Sequence, residues 1–220
     1  MGRRSLPKID PTLDLGRHLV ETTELPKPFA PADLFGRVAP VEVEVGSGKG
    51  LFLLSASGKN PEHDFFGIEV AKKYARFAAS RLSRANRTNA IMANGDALEF
   101  FREWITDSSL HAVHVYFPDP WWKKRHRRRR VLNEAFLQDV IRTLIPGCKL
   151  HFWTDVEEYY QSTLELITQL PANPAGKLQG PLEVPETPAE HDLDFRTHFE
   201  RRTRLHELPV YRAEFVKSQG

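Results

Sequence analysis

The segment VEVEVGSGKG, residues 41–50, decides the fold class that the sequence predicts. Valine alternates with glutamate in residues 41–45, which is the period of a β-strand with one buried face. Glycines at every second position of 46–50 then end the strand, and an apolar run at 51–57 begins a helix. A strand, a glycine-rich turn and a helix in this order indicate the first unit of an alternating α/β domain.

The chain on the C-terminal side repeats this alternation. Further strands are predicted at 65–70, 90–93, 111–117 and 149–153, and helices at 72–84, 97–104, 133–144 and 156–169. Strands that alternate with helices of about ten residues or more form parallel βαβ units. We therefore expect a doubly wound, mostly parallel, Rossmann-like α/β sheet, closed by a last alternating strand at 210–216.

Two segments lack a clear period. Residues 1–40 are rich in proline and turn residues, with one short helix predicted at 14–21, and we expect an N-terminal arm that lies on the domain or on a partner. Residues 171–194 contain five prolines and two glycines and are predicted to be a connection or lid. Residues 41–220 are therefore predicted to form one domain.

Composition argues against several classes of protein. The 220 residues carry a formal net charge of +2 and a single cysteine, Cys148. One cysteine cannot form an internal disulfide, and without a cysteine cluster we expect no metal site. No run approaches the roughly 18 apolar residues of a membrane span, and no apolar signal core opens the sequence. We expect a soluble, cytoplasmic protein.

A second informative segment is FPDPWW, residues 117–122, which leads directly into the basic run KKRHRRRR, residues 123–130. Pro118 and Pro120 restrict the backbone on both sides of Asp119, so this carboxylate is predicted to lie in a stiff turn where a strand leaves the sheet. Seven of the eight residues in the run are Lys or Arg. RNA, a polyanion that carries flat bases, fits a cationic run beside two indoles.

Acidic residues end five of the predicted strands: Glu44, Glu69, Asp96, Asp119 and Asp155. Ligands of open parallel sheets bind at the carboxyl ends of the strands, so we expect these acids to line a pocket. Glu69 fits either the hydroxyls of a ribose or the dipole of the following helix. Asp96 fits either an adenine amino group or the cap of the following helix.

The glycine loop narrows the choice of ligand. Leu51 stands where a dinucleotide fingerprint has its third glycine, and Lys49 is not followed by the Ser or Thr of a P-loop. Glu44 precedes the loop, where a carboxylate repels phosphate and favours a cation. An adenosyl ligand without phosphates, such as S-adenosylmethionine, fits these acids. A nucleotide-dependent oxidoreductase, a small-molecule methyltransferase and a non-catalytic RNA-binding protein that keeps a methyltransferase-like fold are the alternatives.

Six short motifs occur in order along the chain: EVGSGKG at 44–50, GIEV at 67–70, GDA at 95–97, FPDPW at 117–121 with its basic run, TD at 154–155 and THFERR at 197–202. From about Val41 to its last residue, the chain resembles the bacterial tRNA (guanine-N7-)-methyltransferases. The resemblance implies a class I methyltransferase fold, with a seven-stranded sheet whose final strand is antiparallel. It also implies S-adenosylmethionine as methyl donor and N7 of a tRNA guanine, at tRNA position 46 in the variable loop, as acceptor. No obligate protein partner is evident.

The resemblance also implies roles for individual residues. Contacts to S-adenosylmethionine are implied for Glu44, Gly46, Gly48, Glu69, Asp96 and Asp119, substrate contacts for Lys123, Asp155, Thr197, His198, Phe199 and Glu200, and tRNA contacts for Arg125, His126, Arg127, Arg128, Arg129 and Arg130. Asp119 is also the implied catalytic residue. Guanine N7 has a lone pair and no proton, so a fixed carboxylate would act by stabilising the positive charge that develops on the purine.

The chain departs from the family pattern at a few positions. His198 stands where lysine is usual, and Trp122 where proline or histidine is common. Cys148 replaces a second glycine, and residues 205–209 lack a frequent glycine–histidine pair. These departures leave the acids untouched and concern the docking of the substrate. We expect one of Trp121 and Trp122 to stack on an extruded base and the other to pack against the protein.

Overall fold

A computed structural model describes residues 6–189 and 191–219, except for the side chains of Lys124 and Arg127. The described strands are β1 (Leu19–Glu21), β2 (Val41–Val45), β3 (Asp64–Glu69), β4 (Ala90–Asn94), β5 (Leu110–Tyr116), β6 (Leu144–Thr154), β7 (Leu178–Glu183) and β8 (Tyr211–Lys217). The described α-helices are α1 (Pro31–Phe35), α2 (Leu51–Lys59), α3 (Lys72–Arg84), α4 (Ala97–Glu103), α5 (Glu134–Thr143), α6 (Glu157–Thr168) and α7 (His198–Leu205). Short 3-10 turns lie at Thr22–Glu24, Lys124–Arg129 and Asp192–Asp194.

The described strands form one sheet in the order β1-β4-β3-β2-β5-β6-β8-β7. Strands β1 to β6 run parallel to one another, whereas β8 is antiparallel to both β6 and β7. The predicted fold class is confirmed, and eight strands rather than seven are found in the described residues. The order reverses between β2 and β5, which is where ligands bind in open sheets of this kind.

Apolar side chains cover both faces of the sheet. On one face, Phe52 and Leu53 of α2 and Leu82 of α3 pack with residues such as Met92. On the other face, aromatic and aliphatic residues of α4, α5 and α6 pack against the inward valines of β2 and β5. Helix α3 buries alanines against the sheet and exposes Lys72, Lys73, Arg76 and Arg84, as its 3.6-residue period predicts, whereas Arg81 is half-buried. These two layers hold the strand ends in fixed positions.

Two strands form where the sequence predicted none. The helix predicted at 14–21 is wrong, because Leu19–Glu21 form β1, which pairs in parallel with Met92–Asn94 of β4. The predicted connection at 171–194 contains β7, which pairs with β8. Both strands lie at edges of the sheet, where backbone pairing with a formed neighbour outweighs weak local preference.

Helix α5 ends near its predicted boundary, but β6 is longer than predicted. Strand β6 begins at Leu144 and continues through Pro146 and Gly147, with an irregular register against β5. Gly147 adopts a φ of 87°, which accommodates the bend. No helix in the described ranges is both long and apolar enough to cross a membrane.

The N-terminal segment lies against the sheet and its helices. Phe29 is buried and its ring lies edge-on to that of Phe100, 5.2 Å away. The N–H of Phe29 donates to the carbonyl of Trp104 at 2.8 Å, and His18 Nε2 lies 2.9 Å from the carbonyl of Arg87. Of the two positions considered for residues 1–40, these contacts place the described part on the domain.

Candidate active site

The glycine loop between β2 and α2 depends on left-handed backbone. Gly46, Gly48 and Gly50 have φ angles of 76°, 53° and 66°, a region that other residues rarely adopt. A Cβ on Gly50 would lie 2.6 Å from the Cβ of Ala78, so glycine also permits α2 to approach α3. Gly46 and Gly48 are open to their surroundings, since the nearest atom to a Cβ on either is 4.0 Å away. The loop therefore leaves room for a ligand beside its backbone.

Glu44 is a buried carboxyl at the start of this loop. The residue is 3% exposed, and its Oε2 atom has no hydrogen-bond partner among the described residues. Burial, with a smaller contribution from the nearby charge of Glu69, raises its pKa to about 8, although Ser47 and Arg196 act in the opposite direction. A buried acid that lacks a partner is costly to ionise. A cation beside Oε2 would remove this cost.

Glu69 and Asp96 both accept hydrogen bonds from backbone N–H groups. Glu69 accepts from Gly48 at 2.9 Å and from Ala71 at 2.8 Å, so it links β3 to the glycine loop. The Oδ1 atom of Asp96 accepts from Leu98 at 2.9 Å and Glu99 at 3.4 Å, which makes Asp96 the N-cap of α4. The capping alternative for Asp96 is thus observed, and contacts of either acid with an adenosyl ligand stay a prediction.

The turn that carries Asp119 is strained at both ends. Phe117 and Trp121 have φ angles of 50° and 45°, which cost free energy for residues with a side chain. Asp119 itself is exposed and has no hydrogen bond or ion pair with any described residue. Val115 of β5 lies opposite Val45 of β2, so this turn and the glycine loop leave the sheet side by side.

Arg130, the last residue of the basic run, supports this turn from inside. The residue is buried, and its Nε donates to the carbonyl of Pro120 at 2.9 Å. Its other nitrogens bond Glu158 at 2.5 Å and Ser162 at 3.1 Å, and the guanidinium lies 4.4 Å from the centre of the Tyr159 ring. The structure therefore places Arg130 in a structural contact instead of on the surface that the charge run predicted.

The remaining described cations of the run face solvent. Lys123, Arg125, Arg128 and Arg129 are exposed, and His126 is half-buried. The side chain of Arg127 lies outside the described residues. These cations leave the sheet at the same strand end as Asp119.

The two adjacent indoles differ in their surroundings. The ring of Trp121 is half-buried and has the guanidinium of Arg129 5.1 Å from its centre and the His126 ring at 5.9 Å. Trp122 is 67% exposed. The prediction that one indole packs while the other stays available is consistent with this arrangement, with Trp122 as the available ring.

The remaining predicted substrate residues divide into exposed and buried groups. Three of them, Asp155, His198 and Phe199, are exposed, whereas Glu200 is buried. Asp155 directly follows β6. Thr197 is the N-cap of α7, and its hydroxyl accepts from the N–H of Glu200 at 3.0 Å. The ring of Phe199 is stacked with that of Phe117 at a centroid distance of 6.3 Å. This pair joins α7 to the turn of Asp119.

The carboxylate of Glu200 faces the protein and not a cavity for a ligand. It accepts from the backbone N–H of Arg196 at 2.6 Å and lies 3.4 Å from Arg204 and 3.5 Å from Arg212. These contacts tie α7 to β8. The structure therefore gives Glu200 a supporting position, which differs from the substrate contact that the resemblance implied.

Comparison with known proteins identifies the family. A family model described as "Putative methyltransferase" matches residues 38–213. The tRNA (guanine-N(7)-)-methyltransferase of Rhodopirellula baltica is 49% identical, over 99% of this chain and 80% of that protein. The tRNA (guanine-N(7)-)-methyltransferase of Aromatoleum aromaticum is 39% identical, over 71% of this chain and 62% of that protein. The chain belongs to the tRNA (guanine-N7-)-methyltransferase family.

A solved structure of another protein has a fold similar to that of this chain. It is described as that of an antibiotic-related methyltransferase, and it is 15% identical with a TM-score of 0.58, over 89% of this chain and 94% of that one. At this identity the likeness concerns the fold alone.

The donor that this family implies, S-adenosylmethionine, fits the residues of the site. The unpartnered Oε2 of Glu44 suits the positively charged part of such a ligand, and the open backbone at Gly46 and Gly48 leaves space beside it. In the described residues no group of three or more His, Cys, Asp or Glu side chains could hold a metal ion. The unpartnered carboxyl and the open loop suit an organic cation.

The sequence did not reveal two arginines of the family member's site. Arg196 lies 5.5 Å from the ring of Phe52 and 5.6 Å from that of Trp153, and its charge reaches Glu44. Arg81 of α3 donates to the carbonyl of Lys49 in the glycine loop at 3.0 Å. Neither lies in a motif, and Arg81 belongs to the polar face of an amphipathic helix, so no local pattern distinguished them.

Proposed function

We propose that the protein is a tRNA (guanine-N7-)-methyltransferase that uses S-adenosylmethionine. The supporting observation is the meeting of two strand ends. At one, the unpartnered carboxyl of Glu44 lies beside an open glycine loop. At the other, Asp119 is exposed in a strained turn next to a cationic surface. The identity of 49% to a protein of that name supports the same activity.

The reaction needs alignment more than proton transfer. S-adenosylmethionine supplies an electrophilic methyl group on its sulfonium, and guanine N7 offers an in-plane lone pair. Holding two reactants in line can lower a barrier by roughly 7–11 kcal/mol. The stiff turn at 118–120, anchored by the bond from Arg130 to Pro120, suits this task because it fixes the position of Asp119.

Asp119 is the residue that we propose to act on the guanine. Positive charge moves onto the purine as the methyl group is transferred, and a fixed carboxylate stabilises it. Asp119 can also accept hydrogen bonds from N1–H and the amino group of guanine, a donor pair that adenine lacks. Its exposure and its lack of a described partner leave the carboxylate free for both roles.

The cationic surface formed by Lys123, Arg125, Arg128 and Arg129 is proposed to contact tRNA phosphates. Such contacts release counterions, so binding should weaken steeply as salt rises. They carry no sequence information, and choice of the nucleotide must come from tRNA shape and from the base itself. We propose guanine at tRNA position 46 as the target and the cytoplasm as the place of action.

Incubation with labelled S-adenosylmethionine and an unmodified tRNA transcript, followed by nucleoside analysis, tests this function. We expect label in N7-methylguanosine, and its loss when guanosine at position 46 is replaced by adenosine. Label in another nucleoside would contradict the acceptor. Binding of tRNA without binding of S-adenosylmethionine, measured by calorimetry, would instead identify a non-catalytic RNA-binding protein.

Replacing Arg128 and Arg129 together by Ala tests the role of the cationic surface. We expect weaker tRNA binding and a shallower salt dependence, with unchanged affinity for S-adenosylmethionine. Equal loss of both affinities would indicate damage to the fold.

A further inference from the structure

A group of nitrogen atoms near the glycine loop has no ion-pair partner among the described residues. Arg81 of α3 donates from one Nη1 atom to the carbonyl of Lys49 at 3.0 Å, and the same atom lies 3.3 Å from Nε2 of His198. Arg81 and Lys49 are half-buried, and neither forms an ion pair with any described carboxylate. The glycine loop, α3 and α7 thus place the Arg81 guanidinium beside the His198 imidazole, and the charge of Lys49 acts on the same imidazole.

The electrostatics of this group are unfavourable without an anion. Burial lowers the pKa of Arg81, and it lowers the pKa of His198 to about 4, with Arg81 and Lys49 adding to the shift of the histidine. Asp192 is the nearby acid, but its carboxylate is bonded to Arg201 at 2.6 Å. A half-buried arginine usually has an acidic partner, because desolvation of an unpaired charge is costly. The guanidinium of Arg81 has five N–H donors, and most of them are available to bind an anion.

The neighbouring residue indicates which anion belongs here. Phe199, next to His198, is 52% exposed and stacked with Phe117 at the start of the Asp119 turn. An exposed aromatic ring beside a cationic site is the arrangement that single-stranded RNA requires, since a base stacks while the phosphate is neutralised.

We propose that Lys49, Arg81 and His198 form a subsite for one phosphate of the RNA, close to the base that is methylated. The proposal rests on the function proposed above, in that RNA is the substrate. This subsite is separate from the cationic surface at 123–129, because it is built from the glycine loop, α3 and α7. The RNA would then be held from both sides of the Asp119 turn.

Lys49→Ala is the variant that tests the subsite, because Arg81 also supports the loop. Affinity for an unmodified tRNA transcript is measured over a range of salt concentrations. Each phosphate contact contributes about 0.7–0.9 to the slope of log affinity against log salt. We expect the slope to fall by about this amount and the affinity to fall by roughly 3- to 10-fold. Calorimetry should show an unchanged affinity for S-adenosylmethionine.

Lys59→Ala is the matched control, since Lys59 is paired with Asp194 at 3.4 Å and the variant makes the same change in net charge. Its slope should stay that of the original protein. A slope that is unchanged by Lys49→Ala, or an equal fall in both variants, would overturn the subsite. Weaker binding of S-adenosylmethionine with an intact slope would assign Lys49 to the donor and also overturn it.

The two proposals fail separately. If the unchanged protein methylates guanine N7 but Lys49→Ala keeps the salt slope, the subsite is wrong and the function stands. If the slope falls as expected but no N7-methylguanosine forms, the RNA subsite stands and the proposed reaction is wrong.

Discussion

Glu42 and Glu44 lie two residues apart on the same face of β2, yet their surroundings differ in kind. Glu42 accepts hydrogen bonds from His63 at 2.6 Å and from His114 at 2.7 Å. These bonds outweigh burial and hold the pKa of Glu42 well below its usual range. Glu44 is buried without a partner for Oε2, and its pKa is raised to about 8.

The histidine between them explains how the sheet makes this difference. His114 is directly opposite Glu44 in the register of β2 and β5, but its imidazole bonds Glu42. The hydroxyl of Tyr116 lies 2.9 Å from the other ring nitrogen, Nδ1. Burial and the neighbouring His151 lower the pKa of His114 and keep it neutral, so with Nε2–H donating to Glu42, Nδ1 accepts from Tyr116. Glu42, His114 and Tyr116 thus each have a hydrogen-bond partner.

The comparison suggests a rule for this protein. An acid whose oxygens are bonded by neighbouring side chains holds the fold together, and an acid without a partner among the described residues is available to a ligand. Glu42 belongs to the first group, and Glu44 and Asp119 belong to the second. The rule can be tested by changing one carboxylate at a time.

The largest effect is expected from Asp119→Asn. The variant keeps the shape of the side chain but loses the charge that stabilises the developing purine cation, so kcat should fall by about 100-fold or more. Single-turnover methyl transfer measures this change. Because Asp119 is exposed and has no partner among the described residues, the free energy of unfolding should be unchanged, and near-normal turnover would remove Asp119 from the mechanism.

The second-largest effect is expected from Glu42→Gln, which should lower the free energy of unfolding. The amide nitrogen cannot accept a hydrogen bond from either histidine, so one buried donor loses its acceptor, at a cost of about 2 kcal/mol. Denaturant unfolding at pH 7 gives the change in the free energy of unfolding. If affinity for S-adenosylmethionine fell more than stability, Glu42 would belong to the ligand site and the rule would break.

Glu44→Gln should show the opposite pattern. Removing an unpartnered buried acid should leave stability equal or slightly higher, whereas the dissociation constant for S-adenosylmethionine should rise by about tenfold, or about 1.4 kcal/mol. Calorimetric titration at pH 8 measures the affinity. A destabilised variant with normal donor binding would mean that Glu44 is structural.

The smallest effect concerns pH. An acid whose folded pKa is raised holds a proton that the unfolded chain releases, so Glu44 makes the ligand-free protein less stable as pH rises from about 4.5 to about 8. The decline should amount to about 1 kcal/mol. The difference between the original protein and Glu44→Gln, followed by unfolding at several pH values, isolates this contribution. If the free energies of unfolding of the two proteins depend on pH in the same way across this range, the pKa of Glu44 is not raised.

Glu42 and His114 act at the acidic end of the pH range. Both have folded pKa values below their usual ones, so their contribution to stability is present at neutral pH and is lost as pH falls. For Glu42 this loss should occur below about pH 4.5, under the range in which Glu44 titrates, whereas for His114 it should occur between about pH 6.5 and about pH 4, which overlaps that range. The loss at the acidic end should be weaker in Glu42→Gln.

The central strands, and the acids that follow them, could be predicted from sequence. Alternating valine and glutamate in β2 defines a strand with one polar face, and parallel strands place their carboxyl ends at one edge. Glu44 and Glu69, at the ends of β2 and β3, and Asp119, in the turn after β5, could therefore be assigned to the same edge of the sheet. It could not distinguish Glu42 from Glu44, because both are glutamates in the same repeat and only their neighbours on β5 separate them.

The amino-acid sequence by itself determined the alternating fold class and the order of the acids at the strand ends. It also showed that the turn of Asp119 leads directly into a cationic segment. Each of these features depends on residues that are close in the chain. Only the tertiary structure decided that Arg130 turns inward to Glu158 and that Arg81 meets His198, 117 residues away. Ion pairs and burial depend on which groups packing brings within a few ångströms, and no local pattern contains that information.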